Sequence, residues 1–264
     1  MKPDSIAIVG GLGRMGRLFT RVITEAGIPV AIADVASGPI EWGAVAEHQV
    51  TVLAVPIPAL EDTVGRLGPF TRPDGLVLDL ASVKVKPVEA MLRHCRGEVI
   101  GTHPLFGPAV ASLRGEVVFM CPARTSMWRP WVAAFFEGLG VRLMETDPER
   151  HDRLMAAVQV LRHLLLLSFG RSLMKMDFNL EEDLPVSGRW FSELTTMLQH
   201  QCRQPQGLYA DIRLHNPFSR QAAASLLEAV SELVAEPTSA ADKEGLIRLM
   251  DQVSAYVSRI GPSD

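Results

Sequence analysis

Between residue 5 and about residue 146, short β-branched apolar runs alternate with helical patterns, and beyond "TDPER" the strand signals stop. The runs are "SIAIVG", "VAIAD", "VTVLAV", "LVLDL" and "VIGTH", separated by helical stretches such as Met15 to Ala26 and Ala59 to Leu67. Strands that are apolar throughout are covered on both faces, and a helix between successive strands makes each connection a parallel crossover. The pattern predicts a doubly wound parallel α/β sheet, which "VVFMC" and "VRLME" extend. The remainder reads as helices over roughly 148–176, 189–203, 206–215, 217–235 and 239–259. Asp147 before Pro148 supplies a side-chain cap and a proline at the first helical position. The predicted division is therefore an α/β domain at 1–147 and an all-α domain at 148–264.

A net charge of −4 gives no electrostatic reason to expect a nucleic-acid partner, so a small anionic ligand must be met by local basic residues. Cys95, Cys121 and Cys202 are odd in number, far apart and without CxxC spacing, which argues against a disulfide framework or a zinc site and for reduced thiols in a cytoplasm. "MKPDSIAIVGG" enters a strand at once, without the charged, apolar and cleavage regions of a signal peptide. The apolar run "LLLLSFG", Leu164 to Gly170, lies between His163 and Arg171 and is far shorter than the ~20 residues that span a bilayer. It is expected as a buried helix segment, not a membrane anchor.

"IVGGLGRMG" carries Gly11-Leu12-Gly13-Arg14-Met15-Gly16, a GxGxxG between the first strand and the first helix. In that context the glycines allow a tight turn and close backbone approach, and the helix N-terminus offers amide donors to a pyrophosphate. Asp34 ends the second strand, where a carboxylate accepts ribose hydroxyls and repels a 2′-phosphate, so NAD is favoured over NADP. Val55, at the end of the third strand, joins the expected cofactor site.

"VLDLASVKVKP" opens at the carboxyl edge of the sheet, where ligands of such folds sit. There Ser82 either hydrogen-bonds a substrate hydroxyl, as a catalytic and cofactor-contacting residue, or makes a turn or caps a helix, and Lys84 either offers charge to a substrate or is solvated. In "HDRLMAAVQVLRHLLLL", helical spacing lets Gln159, Arg162 and His163 point at one place, as a substrate anchor or as an ion pair with a neighbouring helix. In "IGTHPLFGP", Pro104 keeps His103 out of helical geometry and Gly107 permits a turn. The imidazole is therefore expected on a loop in a fixed direction, either completing a turn or serving as a base.

Taken together, "VGGLGRMGRLF", "LDLASVK", "HPLFGP", "QVLRH" and "LYADI", in this order over about residues 5–255, resemble the prephenate dehydrogenases. The match is specifically to the dehydrogenase part of the bifunctional chorismate mutase/prephenate dehydrogenases, without mutase helices ahead of residue 5. The resemblance implies a Rossmann domain, a helical domain that interlocks two subunits into a homodimer, and active sites between the domains. It implies oxidative decarboxylation of prephenate with NAD in tyrosine biosynthesis. The alternatives are the same chemistry on L-arogenate or 4-amino-4-deoxyprephenate and, from another class, a catalytically silent NAD-binding dimer.

The resemblance also places the family's ring-hydroxyl histidine at His103, the serine of its SVK motif at Ser82 and its substrate-carboxylate arginine at Arg162. This agrees with the chemistry of the side chains. Neutral His103 is read as the base, with an acid limb in the rate near the ordinary histidine pKa of ~6.5 unless the site shifts it. Arg162 is read as a bidentate carboxylate ligand. The chain departs from its relatives at Ala109, where an acidic residue is common, at Leu164, where phenylalanine is common, and over "LPVSGRWFSEL", where Arg189 corresponds only loosely to an expected arginine.

Overall fold

Seven strands form one sheet: β1 (Ile6–Val9), β2 (Val30–Ala33), β3 (Val50–Leu53), β4 (Leu76–Asp79), β5 (Glu98–Pro104), β6 (Val117–Arg124) and β7 (Arg142–Glu145). Their spatial order is β2-β1-β3-β4-β5-β6-β7. The first five are parallel. β1, β3 and β4 are buried along their whole length, as continuous apolar strands covered on both faces must be. Between the strands run α1 (Arg14–Glu25), α2 (Trp42–Ala46), α3 (Leu60–Leu67) and α4 (Val85–His94). In α1 the buried positions Leu18, Phe19, Val22 and Ile23 recur at helical spacing and form the face that packs on the sheet. The computed structural model describes residues 2–234 and 240–260.

β6 breaks the uniform direction. It is antiparallel to β5, while β7, reached through α5 (Arg129–Gly138), runs parallel to β6. Residues 105–116 contain no helix, and a connection without a crossover returns the chain beside the strand it has just left. "VVFMC" and "VRLME" do extend the sheet, with the direction reversed.

Pro148 to Lys175 is one continuous helical run: α6 (Pro148–Met155), a π-helical segment at Ala156–Leu161, and α7 (Arg162–Lys175). Asp147 caps it, accepting the Arg150 N–H at 2.8 Å. By length and hydropathy the run is long and apolar enough to cross a membrane, which "LLLLSFG" alone did not indicate. His151, Asp152, Met155, Val160, His163 and Leu166 are buried, but Leu165 and Leu167 are each 50% exposed, so the leucine run is only partly inside. Consecutive helical residues point in different directions, and one face of four leucines meets the core.

α8 (Arg189–Cys202) and α9 (Gln206–His215) follow. The chain divides into two compact units, Met1–Ser219 and Arg220–Asp264, so position 147/148 lies inside the first. The second is formed by α10 (Ser219–Val234) and α11 (Ala240–Val257), which expose Leu227, Leu233, Met250 and Tyr256.

Candidate active site

A cavity of about 400 Å³ at the carboxyl end of β5 is lined by Ser82, His103, Gln159, Arg162, His163 and Tyr209, among others. It joins the four motifs read separately as "LDLASVK", "HPLFGP", "QVLRH" and "LYADI". His103 is not on a loop. It is the sixth residue of β5, paired with Phe119 of β6, because the extended backbone that a following proline imposes continues the strand. The residue is 2% exposed, and its Nδ1 lies 2.9 Å from Nε2 of His151. Burial pushes its pKa well below 6.5, and the nearby Lys84 pushes the same way, so His103 is neutral.

Arg162 begins α7 and stays open to solvent. It donates to Nε2 of His163 at 2.9 Å, and among the described residues no carboxylate lies within ion-pairing distance. The alternative of an ion pair with a neighbouring helix is therefore not what the structure holds. Burial, and secondly Arg162, lowers the His163 pKa to about 4, so this ring too is neutral. Its Nδ1, Oε1 of Gln159 and Oε1 of Gln201 are buried without a partner. All three residues line the cavity, and orphaned polar atoms of this kind are satisfied by a polar ligand or water. Tyr209 sits edge-on to His163 with ring centres 4.0 Å apart.

The convergence of Gln159, Arg162 and His163 holds, but not through the α-helical spacing expected. Gln159 lies in the π-helical segment, whose wider turn changes the register just before Arg162, and such segments concentrate at functional sites.

Lys84 requires a correction. Expected at the substrate or in solvent, it is fully buried, off the cavity wall, and ion-paired with the equally buried Asp79. Asp79 also accepts the Ala81 N–H at 2.9 Å and the Thr102 N–H at 3.3 Å. Burial pushes its carboxyl above the ordinary value, and the Lys84 ammonium opposes that rise. Ser82, two residues earlier, is half-buried and does face the cavity. Arg189 is exposed and pairs with Glu193 at 2.7 Å, outside the cavity.

A second cavity, of about 590 Å³, lies at the switch point between β1 and β3 and is lined by Gly10, Leu12, Gly13, Asp34 and Val55. Asp34 accepts the Leu12 N–H at 2.9 Å and the Ala36 N–H at 3.0 Å, which locks the end of β2 to the glycine turn. The left-handed residue of that turn is Gly10 (φ +79°), one position ahead of the GxGxxG. Gly16 serves close approach, since a Cβ there would sit 2.2 Å from the Gly10 carbonyl oxygen. Gly11 packs on Ile32, and Gly13 caps α1 without a side-chain hydrogen bond. Arg14 is exposed and Met15 packs against the core, so what this turn presents to the cavity is the backbone N–H groups of the first helical turn.

Two family models match the chain: prephenate dehydrogenase, nucleotide-binding domain, over residues 23–145, and prephenate dehydrogenase, dimerization domain, over residues 147–252. The chain belongs to the prephenate dehydrogenase family. The T-protein of Haemophilus influenzae is 33% identical over 207 residues, covering 78% of this chain and 55% of that protein. The 4-amino-4-deoxyprephenate dehydrogenase of Streptomyces pristinaespiralis is 32% identical over 187 residues, covering 63% and 62%. The chain thus spans 55–62% of the length of the curated relatives it matches. A crystal structure of prephenate dehydrogenase from Aquifex aeolicus, in complex with hydroxyphenyl propionate and NAD+, shares the fold with a TM-score of 0.76, at 22% identity over 98% of this chain and 99% of that one.

In this family member, residues that the motifs did not single out also surround the site. His200 and Gln201 line the cavity, and His151 with Asp152 stands behind His103. For the last two a signal was present: both fall on the buried face of α6 with Met155, where unpaired polar groups are costly. Among the described residues no group of three or more His, Cys, Asp or Glu is placed to hold a metal ion.

Proposed function

We propose that this chain is an NAD-dependent prephenate dehydrogenase, converting prephenate to 4-hydroxyphenylpyruvate and CO2, with a nucleotide-binding domain at 1–147 and a helical substrate-binding and dimerisation domain at 148–264. The observation that carries the reading is the single cavity holding Ser82, His103, Gln159, Arg162 and His163, with Arg162 free of any carboxylate among the described residues. The residues at the second cavity suit a dinucleotide: side-chain-free glycines at the start of α1, and the Asp34 carboxylate beside them. The Aquifex structure of the same fold holds NAD+. When bound, the cofactor supplies the two-electron acceptor for the hydrogen on the ring carbon that bears the hydroxyl.

The protein's part is proton transfer and orientation. Neutral His103 takes the hydroxyl proton, a role worth ~10²–10⁴ in rate. Arg162 holds a substrate carboxylate through two parallel N–H donors. As the ring carboxylate leaves as CO2, its electron pair makes the ring aromatic, and His103 returns the proton to the ring oxygen. The site therefore ends in the protonation state in which it began. Exposed apolar side chains on α7 and α8, including Leu165, Leu167, Met174 and Trp190, together with the matched dimerization domain, support a homodimer. Three free thiols favour a reducing compartment, the cytoplasm.

The test is NADH formation with prephenate, L-arogenate and 4-amino-4-deoxyprephenate offered separately. The highest kcat/KM is expected with prephenate, and turnover of either amine substrate alone overturns the assignment. For the cofactor, NAD is expected to be strongly preferred over NADP. Asp34→Ser combined with Val35→Arg should move the preference toward NADP, while NAD turnover falls because Asp34 also holds the Leu12 and Ala36 N–H groups. Equal kcat/KM for both cofactors in the unmodified protein contradicts this.

Arg162→Ala is expected to weaken substrate binding by ~1.5–3 kcal/mol, roughly ten- to more than a hundredfold in KM, with NAD affinity hardly changed. The substitution strands no buried carboxylate, so a folded protein is expected. An unaltered KM would make Arg162 a solvated surface residue.

A further inference from the structure

We propose that His151 and Asp152 are positioning residues that hold His103 in its Nδ1–H form, leaving Nε2 as the atom that takes the substrate's proton. This rests on the reading of His103 as the base and adds which nitrogen acts and what decides it. The Asp152 carboxylate is fully buried and ringed by donors. The Lys84 N–H reaches Oδ1 at 2.7 Å, the Val85 N–H reaches Oδ2 at 2.9 Å, and Nδ1 of His151 lies 2.8 Å from Oδ1. A carboxylate only accepts, so Nδ1 of His151 carries the hydrogen.

His151 is itself fully buried. Burial lowers its pKa and keeps the ring neutral, so its Nε2 is a lone pair. Nδ1 of His103 faces that lone pair at 2.9 Å. Two lone pairs at this distance repel, so Nδ1 of His103 must be the donor, and its Nε2, which has no partner among the described residues, is the acceptor.

Other groups around the pair do not disturb this assignment. Lys84 and Asp79 offset each other in their buried ion pair, and the Phe119 ring meets His151 edge-on with centres 5.3 Å apart. Asp152 is fixed at both ends, through its carboxylate on the start of α4 and through its carbonyl oxygen, which accepts Nδ2 of Asn216 at 2.8 Å. When Nε2 takes the hydroxyl proton, the imidazolium still donates from Nδ1 to His151, so its charge is stabilised and no proton moves along the relay. Partners that orient metal-bound histidines in this way are typically worth about 10–100-fold, and a loss of the same order is expected here.

The tautomer is read directly by ¹⁵N–¹H correlation of the His103 ring at neutral pH in the full chain. A protonated Nδ1 and a bare Nε2 are expected, and a protonated Nε2 overturns the proposal whatever the variants do. His151→Leu, which removes the acceptor, should lower kcat by about 10–100-fold with KM and NAD affinity little changed, while His151→Gln, whose side-chain oxygen can accept from Nδ1, should recover part of the loss. A kcat within threefold of wild type in a folded His151→Leu also overturns it. His103→Asn measured alongside separates the two readings. If it keeps near-normal kcat, the assignment of the base itself fails. If it loses activity while His151→Leu does not, the assignment of the base stands and the relay fails.

Discussion

His103→Asn is expected to fold and to bind NAD normally while losing ~10²–10⁴ of kcat, because departure of the ring hydrogen would leave a protonated carbonyl with no acceptor nearby. Asparagine suits the strand position poorly but retains a hydrogen-bonding group toward His151, so little rearrangement is needed. The pH profile separates base from spectator. The acid limb expected from an unperturbed imidazole at ~6.5 is moved to lower pH, since burial and, secondly, Lys84 disfavour the charged ring. The wild-type rate should therefore hold as pH falls through the ordinary histidine range and decline only below it, and that decline should be missing from the residual activity of His103→Asn. A near-normal kcat, or an acid limb unchanged by the substitution, would show that the proton goes elsewhere.

Lys84→Met is expected to be among the most destabilising single changes in the protein, by about 3–5 kcal/mol in denaturant unfolding. The methionine fills similar space, but it leaves Asp79 as an unpaired carboxylate with no exposure to water. The sign of the pH dependence follows. Without the ammonium, the folded-state pKa of Asp79 rises further above its unfolded value, so the folded protein gains from protonation in acid and loses that gain as pH rises. The deficit relative to wild type should be smallest at low pH and largest at neutral pH. Adding Asp79→Asn, which keeps an acceptor for the Ala81 and Thr102 N–H groups, should restore much of the loss. A loss below 1 kcal/mol in the single variant would mean that water reaches Asp79 once Lys84 is gone.

Local pattern carried much of the architecture, for reasons that are themselves local. Apolar β-branched runs set the strands, amphipathic spacing and the Asp147-Pro148 cap set the helices, and His103, Ser82 and Arg162 were recognisable because each sits in a short motif whose residues act on their own neighbours. The glycine turn was legible too, although its left-handed residue is Gly10, whose N–H still donates to the Ala33 carbonyl of the neighbouring strand. The tertiary structure alone decided which polar residues are inside. Lys84 looked like a surface cation until its pairing with Asp79 made full burial tolerable, and the leucine run looked like core until the helix turned Leu165 and Leu167 outward. The relay from Asp152 through His151 to His103 spans 48 residues between its two histidines and exists only because α6 packs on β5 and the start of α4. No periodicity encodes such a contact, since a ring's tautomer depends on whichever donor or acceptor the fold brings against it.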